Sequence, residues 1–202
     1  MATAERVVEK RPLRVNLSNA HLPGANLKSA QLKGSDFHGA NLAGADFEGA
    51  VLCEANFSGS RLIDANFKHA DLRGANFSMS DLSNASLVGA NVSNVDFSGV
   101  TLKGTDLRDT DLTNTKGLNW NSLFDSNINL GTNLPKELRK DDLVGFLKEN
   151  YPKFRWQHDD GDDLPMLIGS LLDLHDKYEQ SSICATLYRF NQIQAEIENS
   201  NE

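Results

Sequence analysis

The residues of this 202-residue sequence that come closest to a chemical site lie in one acidic loop, residues 155–163. His158 is followed there by Asp159, Asp160, Asp162 and Asp163, and an imidazole with several carboxylates is a ligand set for a divalent metal ion. A calcium loop, however, needs alternating oxygen ligands and a distant Glu, and this loop has neither. We therefore interpret it as a solvated turn in which Asp163 caps a helix.

The other candidate ligands are scattered along the chain. The His-Asp dipeptides at 158–159 and 175–176 superficially resemble those of metal phosphohydrolases, but no complete His/Asp set accompanies them. His21, His38 and His69 are irregularly spaced, and Cys53 and Cys184 show no metal-ligand spacing. We predict no catalytic residues, no bound metal and no cofactor, with ordinary surface histidines and two reduced thiols of the kind found in a cytosolic protein.

The element that carries four of these residues, His21, His38, Cys53 and His69, is an uninterrupted repeat. A large apolar residue recurs at every fifth position: Leu17, Leu22, Leu27, Leu32, Phe37, Leu42, Phe47, Leu52, Phe57, Leu62, Phe67, Leu72, Phe77, Leu82, Leu87, Val92, Phe97, Leu102, Leu107 and Leu112. A small residue stands two positions before each of them, and the residue between the two is mostly Asn or Asp. The period excludes an α-helix, in which these positions would be spread around the axis.

The unit itself predicts a short strand followed by a corner. Residues two apart in extended backbone point the same way, so the small and large apolar residues face inward and the Asn or Asp faces outward. That gives a three-residue strand. Half of the second corner positions are Gly, which suits a backbone conformation that other side chains disfavour.

The positions of phenylalanine indicate how many units make one turn of the coil. Phe occurs at 37, 57, 77 and 97 and, offset by ten, at 47 and 67, whereas Leu or Val fills the intervening units. With four units per turn, the rings lie on two opposite sides and aliphatic residues lie on the other two. Other even numbers of units also fit this alternation.

These tandem units resemble the pentapeptide repeat family. The resemblance implies a right-handed quadrilateral β-helix solenoid over residues 15–114, a mainly β fold of about five coils. The predicted core residues include Leu17, Leu22, Leu27, Phe37, Phe47, Phe57, Phe67, Phe77, Phe97, Leu102 and Leu112. Some members of the family resemble a DNA duplex in width and acidity and bind type II topoisomerases such as gyrase.

The charge of the chain disfavours a nucleic-acid partner and argues against close duplex mimicry. The net charge is −8, and residues 15–114 carry seven Lys or Arg against eleven Asp or Glu in a dispersed pattern. No apolar run follows the basic residues at the start, and the stretch 164–174 is too short and too interrupted to span a bilayer. We expect a soluble cytoplasmic protein with no membrane association.

The segments that flank the repeat are predicted to finish its ends. Residues 1–14 form either a frayed arm or a cap over the first coil. Residues 115–133 are expected to be a capping segment and linker, with Trp120, Leu123 and Phe124 folding over the last coil as an apolar lid. Towards that end, Thr105 and Thr110 replace the small Ala, which indicates either tolerated drift or a wider coil that receives the C-terminal part.

Residues 134–202 are predicted to form a small helical domain of about three helices, at 134–148, 164–179 and 182–198. The second is apolar nearly all round, so the bundle completes its core against the rod or a second copy. Leu167, Leu171, Leu187 and Phe190 are the candidate partner or dimer surface.

The sequence therefore favours a non-enzymatic interaction, scaffold or regulatory protein. In this interpretation the rod is a rigid binding surface for another protein, and the helical part caps, dimerises or recruits. The alternatives are a DNA-mimicking protector or inhibitor of a type II topoisomerase and a metal-dependent activity in the C-terminal part.

Overall fold

The computed structural model describes residues 14–124, 126–128, 132–135 and 138, and within them the backbone winds into a four-sided β-helix. Parallel β-bridges join residues twenty apart, from Asn16↔Asp36 to Asp96↔Lys116. This spacing confirms the prediction of four units per coil. Each unit contributes a single bridged residue, so the three-residue strands expected from the sequence are not formed.

Hydrogen bonds connect the units between the first coil and the last to the coils on both sides of them. In a representative unit, Asn41 N–H donates to the Ala20 carbonyl at 2.9 Å and Leu42 N–H donates to the Arg61 carbonyl at 2.8 Å. A turn then closes within the unit, because Ala45 N–H donates to the Leu42 carbonyl at 3.0 Å. Because this turn starts at the residue directly after the bridged one, only one residue per unit forms a β-bridge to the neighbouring coils.

The corner of each unit requires a left-handed backbone. The second corner residue, which stands three positions after the bridged residue, has a φ between 56° and 68° in nineteen successive units, from Asn19 to Asp109. Ten of these residues are Gly, as the corner interpretation predicted, and the other nine include Met79 and His69. A side chain in this region costs roughly 1–2 kcal/mol relative to right-handed backbone, so the non-glycine corners are strained.

We expect Met79→Gly to stabilise the protein. Met79 has a φ of 58° and its side chain is 74% exposed, so the substitution removes backbone strain without opening the core. The gain is about 0.5–1 kcal/mol after allowing for the larger entropy of an unfolded glycine. Urea unfolding measures it. Met79→Ala is the matched control, since it shortens the side chain but retains the strain; an equal gain from Ala would contradict the explanation.

The core of the β-helix is built on two columns of stacked phenylalanine rings. Phe37, Phe57 and Phe77 stack with centroids 4.7 and 4.8 Å apart, and Phe47 stacks on Phe67 at 4.8 Å. Rings of one column meet those of the other edge to face at 5.6–5.9 Å. Both geometries are favourable for aromatic pairs, so the alternation in the sequence gives one interdigitated aromatic core.

The first coil differs from the later ones in burial. Leu17, Leu22 and Leu27, which the sequence assigned to the core, are half-buried and pack against it, whereas Phe37 and Leu112 are fully buried. Among the described residues, the first coil is stacked against another coil on one side only. Its inward positions are therefore less enclosed than the repeat predicts.

The threonines in the small-residue position bond inside the helix. Thr105 Oγ1 donates to the Leu82 carbonyl at 2.7 Å, and Thr110 Oγ1 lies 3.2 Å from the Leu87 carbonyl. The ring stack loosens at the same level, with Phe77 and Phe97 centroids 5.8 Å apart and their planes inclined by 22°. The two threonine hydroxyls are thus accommodated inside the coil by hydrogen bonds to the backbone of the coil before, and the choice between drift and a wider coil stays a prediction.

The β-helix continues beyond residue 114, which corrects the predicted boundary of the rod. Lys116, Asn127 and Asn133 bridge to the fifth coil, so much of the segment assigned as cap and linker forms a sixth coil. The helix α1, Trp120–Leu123, stands between the first and second of these bridges and takes the place of one side. The pairing survives because Ser126-Asn127-Ile128 and Thr132-Asn133-Leu134 restore the small–Asn–aliphatic order of the repeat, the first displaced by one residue from the period and the second by two.

The three predicted capping residues lie on or beside α1. Leu123 is fully buried in the core cluster, and Trp120 and Phe124 are 6% and 5% exposed. Because α1 takes the place of a side of the sixth coil, these residues belong to the coil that stacks on the fifth. Asn119 caps α1 by accepting a hydrogen bond from Ser122 N–H at 2.9 Å, and the Ser122 hydroxyl accepts from Asn119 N–H.

Candidate functional site

The outward surface of the β-helix consists of four faces. We number them I to IV in chain order, beginning at Asn16, His21, Asn26 and Gln31, and each contains one unit from every coil of the repeat. Each face presents the bridged residues in one column and the first turn residues in a second column two positions later. Neighbouring side chains in a column are about 4.8 Å apart, the spacing of adjacent β-strands.

Most outward Asn and Asp side chains have a structural role. The Asn16 side-chain oxygen accepts from Ser18 N–H at 3.0 Å, and the same bond recurs from residue to residue along the repeat, as at Asp46 and Asp96. These are Asx turns, which start the corner of each unit. Amide ladders also join coils, as where Asn56 Nδ2 donates to Asp36 Oδ1 at 3.0 Å. The carboxylates are therefore engaged by the protein itself.

Ion pairs within the described residues lie on faces III and IV. Lys28 pairs with Glu48 and Arg108 with Asp106 on face III, and Lys33 pairs with Glu54 and Arg73 with Asp71 on face IV. The two arginine pairs are bidentate, with N···O distances of 2.7–2.8 Å. Charge on these two faces is largely neutralised locally.

The arginine partners hold two carboxylates in the ionised form. Hydrogen bonds from Arg73 lower the pKa of Asp71 to about 2, although partial burial opposes the shift. Burial also opposes ionisation of Asp106, but its hydrogen bonds with Arg108 outweigh it and its pKa is lowered. The pKa values of Asp96 and Asp111 are lowered by hydrogen bonds from Ser98 and Thr113.

We expect Asp71 to make stability depend on pH on the acid side. Its folded pKa of about 2 is below that of an unfolded Asp, about 3.9, so its contribution is complete above pH 4 and is lost as the pH falls towards 2. Between pH 5 and pH 2, the melting temperature of Asp71→Asn should therefore fall about 1–3 °C less than that of the unsubstituted protein. The effect is small because solvent screens the ion pair. If the melting temperatures of the two proteins fall by the same amount over this pH range, the assignment is wrong.

Cys53 is a buried structural thiol on face IV. It is 7% exposed, and Arg73 Nη2 lies 3.7 Å from its sulfur. Burial, followed by the nearby Asp71 carboxylate, raises the pKa of the thiol despite the arginine. A thiol with a raised pKa is a poor nucleophile, so this position does not favour catalysis.

We expect Cys53 to react slowly with iodoacetamide in the folded protein. In a Cys184→Ser background at pH 8, its alkylation should be at least about tenfold slower than that of a free peptide thiol, because it is buried and mostly protonated. Mass spectrometry follows the reaction, and the unfolded protein in urea supplies the control. A rate equal to that of the free thiol would contradict the buried position.

The histidines of the repeat are separated from one another. His38 Nδ1 lies 2.9 Å from Ser58 Oγ on face I, and His21 Nδ1 lies 3.2 Å from Asn41 Nδ2 on face II. His69 occupies a left-handed corner, over Gly89 of the next coil. Within the described ranges, no three His, Cys, Asp or Glu side chains come together in a way that could hold a metal ion.

Several sequence predictions fall outside the residues that the structure describes. These are residues 1–13 of the arm or cap predicted at 1–14, the loop around His158 with His175 and Cys184, the three predicted helices apart from residues 134, 135 and 138 of the first, and the candidate partner surface formed by Leu167, Leu171, Leu187 and Phe190. In the part that is described, no helix has both the length and the apolar character to cross a membrane.

Sequence reasoning missed two features of the surface. One is the continuation of faces I, III and IV into the sixth coil, which the triplets at 126–128 and 132–134 would have revealed to a search that allowed displacements of one or two residues. The other is the concentration of ion pairs on two faces, which depends on rotamers and on contacts between coils.

One family model matches the residues that form the β-helix. The family model described as Pentapeptide repeats matches residues 14–49, 40–78 and 80–115, in eight copies. Those residues make up half of the chain. No curated protein sequence matches it.

Solved structures similar to this chain include several pentapeptide repeat proteins. One, from the Arabidopsis thaliana thylakoid lumen, is 36% identical over 45% of this chain and 66% of its own length, with a TM-score of 0.30. QnrB1, a plasmid-mediated fluoroquinolone resistance protein, is 19% identical over 69% of this chain and 84% of its own, with a TM-score of 0.27. A protein from the cyanobacterium Cyanothece 51142 is 23% identical over 59% and 88%, with a TM-score of 0.24. The chain thus spans just under two thirds of the Arabidopsis protein.

Proposed function

Because the chain belongs to the pentapeptide repeat family, we propose that it is a non-enzymatic interaction scaffold whose right-handed β-helix presents rigid faces to another protein. The observation that carries the proposal is the fixed geometry of the faces. Their outward side chains stand in straight columns, anchored by Asx turns and by hydrogen bonds to the coils on both sides. A surface ordered before binding loses little entropy when a partner docks.

The chemistry of the described residues is consistent with this role. The buried thiol of Cys53 is a poor nucleophile, and hydrogen bonds lower the pKa values of Asp71, Asp96, Asp106 and Asp111. General acid or base catalysis near neutral pH needs groups whose pKa lies close to that pH. A structural role explains each of these groups.

The segment 134–202 enters the proposal as a recruitment or dimerisation module. This part rests on the sequence pattern alone, namely the apolar positions Leu167, Leu171, Leu187 and Phe190 in two predicted helices. Light scattering of the full chain at micromolar concentration tests dimerisation. A monomer would remove that part of the proposal and leave the scaffold role untouched.

The test of the scaffold role compares the four faces in the intact chain. Ser78, Ser83, Val88 and Ser93 occupy the same turn position in successive units, one on each face of the fourth coil. A photocrosslinking amino acid is placed at each in turn, and the full-length protein is irradiated in cells that express it naturally. We expect one protein to be crosslinked strongly from one face and weakly from the opposite face. Equal, diffuse labelling or none from all four would overturn the proposal.

A topoisomerase role by duplex mimicry requires a dense line of negative charge, which the faces do not present. On face I the bridged column reads Asn16, Asp36, Asn56, Asn76, Asp96 and Lys116, so its two carboxylates are three coils apart and a lysine ends the column. Duplex DNA carries one charge per about 1.7 Å. We expect excess protein to leave the supercoiling activity of purified gyrase unchanged, and inhibition or protection of the enzyme would favour the mimic instead.

A further inference from the structure

Face II combines features that no other face shares. Its first turn column begins with three apolar residues, Pro23, Ala43 and Ile63, in successive coils. The same column is Ser18, His38 and Ser58 on face I, Lys28, Glu48 and Lys68 on face III, and Lys33, Cys53 and Arg73 on face IV. Face II is therefore the face on which the first three coils present a continuous apolar strip.

The backbone beside this strip is open to close approach. The corners after Pro23 and Ala43 are Gly24 and Gly44. A Cβ added to Gly24 would meet nothing within 4 Å, and one on Gly44 would only just touch the Gly24 backbone nitrogen at 4.0 Å. A partner could thus pack directly against the backbone at these corners.

The charges on face II are not neutralised within the face. It carries Arg61, Asp64, Asp81 and Lys103, and none of them takes part in an ion pair among the residues described, whereas faces III and IV hold two pairs each. Within the described part of the chain, Asp81 accepts hydrogen bonds from the backbone and hydroxyl of Ser83. Arg61 and Asp81 stand in the bridged column, Lys103 stands in the first turn column beside it, and Asp64 lies at the corner of the third coil. From the third coil to the fifth, Arg61, Asp81 and Lys103 therefore alternate in sign along the axis.

The helix α1 closes face II at its far end. Faces I, III and IV continue into the sixth coil through bridges at Lys116, Asn127 and Asn133, whereas α1 stands where face II would continue. From the first coil to the fifth, four spacings of about 4.8 Å give a platform roughly 19 Å long. That length matches an α-helix of about 13 residues at 1.5 Å per residue.

We propose that face II binds an amphipathic α-helix of a partner protein, lying along the axis of the rod. A helix pitch of about 5.4 Å nearly matches the coil spacing of about 4.8 Å, so successive turns of the helix lie over successive coils. An extended strand would repeat its same-face side chains every 6.6–6.8 Å or so and would lose register. The proposal rests on the scaffold function and names its binding face.

The charge order specifies the sequence of the bound helix. One end of the helix places small apolar side chains over Pro23, Ala43 and Ile63. The other end places an acidic residue opposite Arg61, a basic residue three or four positions on opposite Asp81, and a second acidic residue seven positions on opposite Lys103. Seven residues of helix span about 10.5 Å, against about 9.6 Å for two coils.

The test uses the full chain with a photocrosslinking amino acid at Ile63, and mass spectrometry identifies the crosslinked peptide. We expect a peptide from another protein, with an apolar stripe of helical period and acidic, basic and acidic residues in that order. Arg61→Glu should lower the crosslinked yield about tenfold, which corresponds to about 1.4 kcal/mol. Reversing the first acidic residue of the partner to Lys should restore it.

Lys68→Glu is the matched control, since it makes the same charge change on face III and should leave the yield unchanged. A peptide without helical periodicity, a peptide from this same chain, or equal effects of the two substitutions would overturn the assignment of face II. Strong crosslinks confined to face I, III or IV would overturn it as well, but would leave the scaffold function standing. Equal, diffuse labelling from all four faces, or no labelling from any of them, would remove both.

Discussion

Phe57→Ala should destabilise the protein by about 3–5 kcal/mol, the largest effect of any single substitution we consider. Phe57 stacks on Phe37 and Phe77 at 4.7 and 4.8 Å and meets the edges of Phe47 and Phe67 at 5.6 and 5.7 Å. Removing it leaves a cavity where the two ring columns interlock, and neighbouring coils cannot collapse into it while their backbones stay bonded. Urea unfolding with an unchanged m-value measures the loss.

Two further substitutions show whether the ring contacts are responsible. Phe57→Leu keeps most of the volume and reproduces the residue found in other units, so its cost should be below about 1.5 kcal/mol. Phe97→Ala removes a ring whose described aromatic contact is the loose stack on Phe77 at 5.8 Å, so its cost should be smaller than that of Phe57→Ala. Equal costs for the two alanine variants would show that the interlocked columns contribute nothing beyond burial.

The second large effect is expected at Gly117, where Ala should cost at least about 2 kcal/mol. Gly117 has a φ of 77°, and an added Cβ would lie against the backbone nitrogen of Ser98 and 2.5 Å from its Cα. Backbone held by neighbouring hydrogen bonds cannot yield as a flexible side chain does. The strain would fall on the first bridge of the sixth coil, where Phe97 N–H donates to the Lys116 carbonyl at 2.8 Å.

Gly24→Ala is the matched control for this prediction. Gly24 also has a positive φ, of 66°, but a Cβ there meets nothing within 4 Å, so the substitution carries only the backbone strain of about 1 kcal/mol. Hydrogen exchange at Phe97 N–H should accelerate in Gly117→Ala and not in Gly24→Ala. Similar stabilities and similar exchange in the two variants would show that the contact with Ser98 is relieved at no cost.

Both predictions concern stability distributed along a rod, where each coil contacts only its neighbours. The function we propose depends on the same property. Rigid columns of outward side chains let face II present an apolar strip and an alternating set of charges at fixed spacing, while faces III and IV neutralise their own charges. A substitution on the surface of face II should therefore change binding without changing stability, and one in the ring columns should do the reverse.

The sequence by itself determined the repeating part of this protein. The fivefold period separates inward from outward residues, the alternation of Phe with Leu or Val indicates an even number of sides, and glycine marks the left-handed corners. These features can be predicted from the sequence because each unit makes the same local contacts. A residue pattern that is ambiguous in one unit becomes clear when it recurs in many. The family follows from the same residues.

Only the tertiary structure decided what departs from the period. The sixth coil forms although α1 adds a residue to the chain between Lys116 and Asn127, because hydrogen bonds to the fifth coil can compensate for a local displacement that breaks the pattern. The half-burial of Leu17 and the pairing of Arg73 with Asp71 depend equally on what lies above, below or beside a residue. A period specifies which way a side chain points, but burial and charge pairing are set by neighbours that are distant in the chain.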